Sequence, residues 1–425
     1  SYSKRENNYT DSTNYFNTES RYKNFASRPN FRLQADYEID KQHLLSFTYQ
    51  QNPNSFDNNS TTTYTNINRL KQIYRLSDRN NHTIGNGQNH AVSGSYNIKQ
   101  KSGPGYLRFI GNANLTHAQT DKLFFQQFLF ADKTPTGVDS TQRQFFETDN
   151  NSASIRVDFL TPFKKKQNNF NGGVSYLNSW YHGRVNTQFF RKSDQNYVTN
   201  DVLSNDFTNK QMVVTARVGF SYFLQKKYRL SFGLQAEYTQ LEFIFLKGNA
   251  ANVDNGYWNV LPNFTFRRDF TKELNTTLVY RATIKRPGIG ELNPNIEYGD
   301  PYNIRFGNPY LEPTLSHNYD WNVSYVKGKY YLNTSLGYNK LKQVFNTIRT
   351  LLPGGKTEVT WKNIADRTEY EASAWGGYTF TKKFRMNGSV GYTYNKYGAA
   401  EKLLYKYRDG ATFYTSVNYN LTPSN

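Results

Sequence analysis

The chain has 425 residues, with 52 lysines and arginines against 33 aspartates and glutamates, and therefore a formal net charge of +19; its mean hydropathy is −0.82. This polar composition excludes membrane-spanning helices, which need about twenty mostly apolar residues in a row. The absence of cysteine excludes disulfides and thiolate chemistry. The basic residues are spread along the chain rather than clustered, which argues against a nucleic-acid partner.

The first segment, residues 1–28, is polar and only weakly periodic, so it is predicted to be a first hairpin or a frayed end. No signal segment is recognisable at Ser1, although a secreted barrel needs one. The last five residues, Leu421–Asn425, resemble the beginning of a turn. We therefore expect the chain to be cut at both ends.

Strands are predicted wherever apolar and polar residues alternate, most clearly from Tyr228 to Gln240. Successive side chains on a strand point to opposite faces, so one face of this segment is apolar and the other is polar or charged. The same alternation recurs in segments that begin at Phe31, Leu107, Ile155, Phe170, Val214, Val260, Leu274, Tyr319, Tyr330, Phe384 and Phe413. Many such stripes, with few separate core elements, are typical of a transmembrane β-barrel.

Short turns separate pairs of these segments, near Glu38–Gln42, Lys101–Gly105, Pro162–Asn168, Gln225–Tyr228, Asp269–Glu273, Lys327–Lys329 and Thr381–Lys383. Longer polar connections are predicted between them, at Gln51–Asn89, Gln119–Asn150, Arg184–Lys210 and Lys285–Ser316. Short turns at one end and long loops at the other are the asymmetry of outer-membrane barrels.

The predicted fold is all-β: a transmembrane antiparallel up-and-down β-barrel in which residues 1–425 form a single domain. Seven turns imply about fifteen or sixteen strands. Sixteen strands could close alone as a porin, but the cut ends favour part of a 22-stranded barrel with a plugged lumen. A soluble β-sandwich or lectin-like binding protein is the alternative, because tyrosine and phenylalanine also favour ordinary strands.

Five polar-face residues are candidates for the barrel lumen: Arg217, Arg229, Gln235, Glu237 and Arg281. A cationic lumen or rim would attract anionic solutes or lipopolysaccharide phosphates through its long-range field. A solvated basic surface without a ligand is the alternative interpretation, and the sequence does not decide between the two.

Chemistry-bearing motifs are not recognised in the sequence. The six histidines are scattered without metal-ligand spacing. Ser316 and His317 are adjacent, but neighbours on a strand point to opposite faces and cannot form a nucleophile–base pair. We therefore expect no enzymatic activity, no metal and no cofactor.

The densest motif runs from Arg281 to Pro313 and is rich in proline, glycine and asparagine, so it leaves the strand ladder. Two interpretations stay open. A long rigid loop can carry recognition, or it can be a structural loop that folds into the barrel or caps it.

These motif residues resemble the TonB-dependent receptor barrels of the Bacteroidota type, the outer membrane protein β-barrel family. The matching positions are Tyr280, Arg281, Arg286, Pro287, Leu292, Asn293, Pro294, Gly307, Asn308, Pro309, Leu311 and Pro313. The resemblance implies a 22-stranded barrel in the Gram-negative outer membrane, an N-terminal plug and a TonB-contacting segment. Neither the plug nor a TonB-contacting segment is recognisable in this sequence.

The function that the resemblance implies is import of a scarce large solute, such as a siderophore, cobalamin, an oligosaccharide or a peptide. The implied partners are outer-membrane lipid, lipopolysaccharide, the TonB complex acting through a plug, and a surface lipoprotein. A structural or accessory barrel in a secretion or envelope assembly is the alternative, because fold does not fix function.

Overall fold

The computed structural model describes residues 1–8, 13–101, 103–163, 165–225, 227–247, 252–294, 296, 303–352, 356–381, 383–398, 402 and 408–421. In this part of the chain, twenty strands form one sheet. The strands are β1 (Tyr2–Asn8), β2 (Thr13–Ser27), β3 (Phe31–Glu38), β4 (His43–Gln51), β5 (Asn54–Ile67), β6 (Ile73–Lys99), β7 (Tyr106–Leu129), β8 (Pro135–Phe163), β9 (Lys165–Arg191), β10 (Asn196–Thr199), β11 (Asn205–Leu224), β12 (Tyr228–Lys247), β13 (Val253–Asp269), β14 (Leu274–Lys285), β15 (Asn303–Arg305), β16 (Thr314–Lys327), β17 (Tyr330–Leu351), β18 (Thr357–Thr381), β19 (Phe384–Tyr397) and β20 (Gly410–Leu421). A four-residue helix, α1 (Ile289–Leu292), follows β14.

The long strands pair antiparallel with their neighbours in the sequence, which confirms the predicted up-and-down all-β fold. Two long strands are each divided into two pieces, one into β2 and β3 and the other into β4 and β5. The strand β6 shows the second division, because its first half pairs with β5 and its second half pairs with β4. When β2 with β3, and β4 with β5, are each counted as one, fifteen long strands lie side by side from β2 to β20 in the described residues. The short strand β15 is parallel to β18, and β1 pairs with β2 as a hairpin.

All seven predicted short turns connect consecutive strands of the sheet, such as β11 to β12 and β16 to β17. Four of them contain one residue that lies outside the described part of the chain: Ser102, Lys164, Lys226 and Lys382. No helix among the described residues has the length and apolar character needed to span a membrane.

The alternation assigns the two faces of the sheet as predicted. On β12, Phe232 and Leu234 are 52% and 47% exposed, whereas Glu237 and Thr239 on the opposite face are 4% and 0% exposed. Apolar side chains are similarly exposed on the other strands, including Phe109, Ile155, Val174, Val218, Val260, Trp321, Leu336, Val390 and Val417. We call the face with these side chains the outer face, and the opposite one the inner face.

Aromatic side chains form two rows on the outer face. One row crosses five adjacent strands, with ring centroids 4.8 to 6.4 Å apart: Tyr280, Tyr319, Tyr338, Tyr370 and Tyr394. The other row lies beside the short turns and includes the pairs Tyr228–Phe266, Tyr325–Tyr330 and Phe380–Phe384. On β12, Tyr228 belongs to the row beside the turns, and Tyr238 pairs with Trp258 of β13 ten positions further along the strand. The ten steps from Tyr228 to Tyr238 correspond to about 23 Å of thickness, at ~3.3 Å per residue and ~45° of tilt. This distance matches the apolar band of an outer-membrane barrel.

The long polar loops were predicted wrongly for three of the four segments. Most of Gln51–Asn89, Gln119–Asn150 and Arg184–Lys210 is strand, so that the connections shrink to a few residues, such as 130–134. Beyond the apolar band both faces of a strand contact water, so the ladder continues without any apolar stripe to reveal it. The fourth segment, Lys285–Ser316, is a long connection as predicted.

Candidate functional site

The inner face of the sheet becomes apolar beyond Gln240. Leu241 and Phe243 of β12 are 6% and 0% exposed, and they form one cluster with Phe207 of β11 and Phe345 of β17. The predicted alternation ended at Gln240 and therefore missed this cluster. The signal was present, because the inner-facing positions continue through Leu241, Phe243 and Phe245 with apolar side chains.

The motif segment folds back onto this cluster. We call residues 286–313 the motif loop; its residues 295 and 297–302 lie outside the described part. Leu292 and Leu311 are each 3% exposed and pack into the inner-face cluster. Pro287 and Pro309 are also buried. The apolar residues of the motif therefore bind the loop to the inside of the sheet, as in the structural interpretation of this segment.

Arg286 connects the beginning of the motif loop to β12. Its guanidinium forms an ion pair with Glu237, and its Nε lies 3.3 Å from Thr239 Oγ1. The strand β13 separates β14 from β12, so Arg286 reaches across one whole strand. Burial lowers the pKa of the Arg286 guanidinium. The Arg286 side chain is 24% exposed and the Glu237 side chain 6% exposed, and an ion pair with little water around it depends on both partners.

Gly307 lies where the two arms of the motif loop meet. The Gly307 N–H donates to the Asn293 carbonyl at 2.6 Å, and the Asn308 N–H donates to the Glu291 carbonyl at 2.7 Å. A Cβ at position 307 would lie 2.5 to 2.6 Å from backbone atoms of Asn293 and Glu291. Because backbone atoms cannot swing aside as side-chain ends can, the loop requires glycine at this position.

Gly307→Ala should push the two arms apart and lower the free energy of unfolding by about 1–3 kcal/mol through overpacking. Gly290→Ala is the matched control, because a Cβ at position 290 meets nothing within 4 Å. Denaturant titration in phospholipid vesicles measures both variants. Equal stability of the two variants would contradict the close approach at Gly307.

Side-chain amides fasten the end of the motif loop to β17 and β18. Asn308 Nδ2 donates to the Trp361 carbonyl at 3.0 Å. Asn363 Oδ1 accepts from the Glu312 N–H at 2.9 Å, and its Nδ2 donates to the carbonyls of Glu312 and Gln343 at 2.8 Å each. Gln343 adopts a φ of 53° at an irregularity in the β17–β18 register. Asn363 and Gln343 were not predicted, because nothing local in the sequence indicates this bulge.

A cavity of about 390 Å³ lies between the motif loop and the inner face. Its lining combines two cationic side chains with aromatic and polar ones, namely Lys122, Phe146, Asn293, Arg305, Thr347 and Trp361. The strands β7 and β8 contribute to this cavity together with β17 and β18, although six paired strands lie between β8 and β17. The sheet therefore curves around the motif loop.

The five candidate lumen residues all take inner-face positions. Arg217 lies opposite Gln235 in the β11–β12 register and contacts Asp158 Oδ1 at 2.6 Å, while Arg156 Nε contacts Asp158 Oδ2 at the same distance. Gln235 Nε2 donates to Glu237 Oε2 at 3.4 Å.

The other two candidate lumen residues lie apart from this group. The Arg229 guanidinium lies 4.3 Å from the ring centre of Phe223. Arg281 lies between Asn263 and Asn318 in the register, and its carbonyl accepts from Asn318 Nδ2 at 3.1 Å. Of the five, the structure brings only Glu237 into contact with the motif loop among the described residues.

The two adjacent residues Ser316 and His317 occupy successive positions on β16, and His317 Nδ1 lies 3.0 Å from the Tyr280 hydroxyl. In the part of the chain that the structure describes, no three histidine or acidic side chains are grouped as metal ligands.

Residues 101–425 match the outer membrane protein beta-barrel family, and the chain belongs to this family. It is a β-barrel protein of the Gram-negative outer membrane. Among solved structures, the copper transporter OprC is similar with a TM-score of 0.54 at 11% identity, over 92% of this chain and 63% of that one. This similarity shows a shared fold.

Two further solved structures resemble the chain at lower scores. The siderophore receptor PiuA from Acinetobacter baumannii has a TM-score of 0.49 at 10% identity, over 93% of this chain and 63% of that one. The ferric yersiniabactin uptake receptor FyuA from Yersinia pestis has a TM-score of 0.46 at 9% identity, over 92% and 62%. The chain thus spans less than two thirds of the length of these proteins. No curated protein sequence matches it.

Proposed function

We propose that this chain is the barrel portion of a TonB-dependent outer-membrane transporter of the Bacteroidota type, with 22 strands in the whole barrel. Its cargo would be a scarce large solute: a siderophore, cobalamin, an oligosaccharide or a peptide. Family membership and the fold shared with a copper transporter support this proposal. The copper and siderophore proteins it resembles differ in cargo, so they leave the cargo of this chain open.

The observation that carries the proposal is the motif loop folded against the inner face. Its buried Arg286–Glu237 pair and its Leu292 and Leu311 contacts narrow the space inside the sheet. A narrowed path with cationic and aromatic walls can select a solute by contact rather than by size alone, which is what a transporter for one solute requires.

The partners follow from the same proposal. Outer-membrane lipid and lipopolysaccharide would surround the outer face, and a surface lipoprotein would cover the loop end. The TonB complex would act through a plug domain and supply energy from the inner membrane. We propose no catalytic step and no cofactor, since binding followed by rearrangement of the plug is sufficient for transport.

Uptake measurements test the proposal. In the native host, deletion of the gene should abolish uptake of one probe among labelled ferric siderophores, cobalamin, oligosaccharides and peptides. Loss of TonB should abolish the same uptake. A second candidate function, an accessory barrel in a secretion or envelope assembly, predicts a different result: stable co-purification with the assembly and unchanged uptake of every probe.

Ion selectivity tests the lumen residues. Reversal potentials of the reconstituted barrel without a plug should show anion preference, because Arg156 and Arg217 share a single carboxylate at Asp158. Arg217→Gln should weaken that preference, whereas Lys133→Gln in a connection should not. Cation preference in the unmodified barrel would overturn the cationic lumen.

A further inference from the structure

The short turns of the sheet are far more basic than the connections at its other end. The turns at 39–42, 100–105, 164, 225–227, 270–273, 328–329 and 382–383 hold two acidic residues, Asp40 and Glu273. They hold nine lysines: Lys41, Lys101, Lys164, Lys226, Lys227, Lys272, Lys329, Lys382 and Lys383. The opposite connections, at 9–12, 68–72, 130–134, 192–195, 200–204, 248–252, 286–313, 352–356 and 398–409, hold ten basic and ten acidic residues. The excess positive charge of the connecting segments therefore lies entirely at the turn end.

Six of the seven turns carry a lysine in the described part of the chain, and we call these six the lysine rim: Lys41, Lys101, Lys227, Lys272, Lys329 and Lys383. Three members of the lysine rim stand next to the aromatic row beside the short turns, since Lys227 precedes Tyr228, Lys329 precedes Tyr330 and Lys383 precedes Phe384. Aromatic rows of this kind mark the depth of the membrane–water interface. The rim lysines thus lie at the level of lipid headgroups, where a lysine keeps its ammonium in water and its stem along apolar surface.

We infer that the lysine rim binds anionic phospholipid headgroups of the leaflet on the turn side. Charge complementarity selects the anionic group, and the depth beside the aromatic row selects lipid. An acidic protein partner would require a concentrated patch, whereas these lysines recur in six of the seven turns. The inference rests on the proposed membrane function for its orientation, in which short turns face the periplasm.

The test measures lipid binding by the full-length protein in neutral detergent, using native mass spectrometry with phosphatidylglycerol and phosphatidylcholine. The unmodified protein should bind phosphatidylglycerol at least tenfold more tightly. The triple variant K227Q/K329Q/K383Q should lose on the order of a hundredfold in phosphatidylglycerol affinity, from the usual contribution of one lysine near an anionic surface. The matched control K71Q/K133Q/K356Q, with the same charge change at the other end, should stay within about twofold.

Several outcomes would overturn the inference. Equal affinity for the two lipids would do so, and so would equal losses in the rim and control variants. Full competition by free glycerophosphate would show a phosphate site rather than a lipid surface. Stronger binding of an acidic peptide would indicate a protein partner. Circular dichroism of each variant confirms that it is folded. Lipid binding is measured without transport, so a negative uptake experiment would not contradict the lipid-binding inference. A negative lipid-binding experiment would likewise not contradict the proposed transport.

Discussion

Glu237→Ala is expected to destabilise the protein by about 3–5 kcal/mol, because it leaves the Arg286 guanidinium buried without its carboxylate. Glu237 is 4% exposed, so water cannot replace the lost partner without moving the motif loop. The free energy of unfolding, from denaturant titration in phospholipid vesicles, measures this loss. Thiol labelling of L311C, in a chain that has no native cysteine, reports whether the loop leaves the inner face.

Two comparisons make the Glu237 result specific. Glu242 lies on the same strand but pairs with Lys210 in an exposed position, at 3.6 Å, so Glu242→Ala should change stability by at most about 1 kcal/mol. The double variant E237A/R286M removes both charges and should recover part of the loss, since an apolar replacement of a buried pair is often tolerated. If E237A and E242A behaved alike, or if L311C stayed protected in E237A, the ion pair would not hold the loop.

The second large effect is expected on the outer face. Leu234→Arg should lower the free energy of unfolding by about 2–4 kcal/mol, because residue 234 lies between Tyr228 and Tyr238, near the middle of the apolar band. The neighbouring substitution Gln235→Arg, on the inner face, should change it by less than about 1 kcal/mol. Both are measured by reversible folding into vesicles, and equal effects at the two positions would remove the assignment of faces.

The sequence alone was sufficient to predict the strands that cross the apolar band. Hydrocarbon on one side and water on the other impose a strict period of two, so segments such as 228–240 and 330–338 could be assigned to faces and all seven turns located. Beyond the apolar band both faces of a strand contact water, so the sequence no longer needs a period of two. The parts of β7 and β8 beyond the band were therefore predicted to be polar loops, although β7 continues as a strand to Leu129 and β8 begins as a strand at Pro135.

The candidate site could be predicted only in part. The motif residues were recognisable, because proline, glycine and asparagine at fixed spacing stand out from strand sequence. Their partners were not, because Glu237 and Arg286 are separated by 49 residues and meet only across β13. Asn363 was not predicted either, because its hydrogen bonds to Glu312 and Gln343 depend on a bulge that no local pattern in the sequence indicates.

Neighbouring residues of each strand face hydrocarbon and water in turn, until the motif loop covers the inner face. Single cysteines placed at each position from 228 to 245, labelled with a polarity-sensitive fluorophore in vesicles, test this alternation directly. We predict apolar emission at even positions from 230 to 238 and polar emission at the odd positions 231, 233 and 235, which precede the contact of Glu237 with the motif loop. Beyond 240 we predict apolar emission also at 241 and 243, which lie beneath the motif loop. Uniform emission along the whole segment would contradict the account.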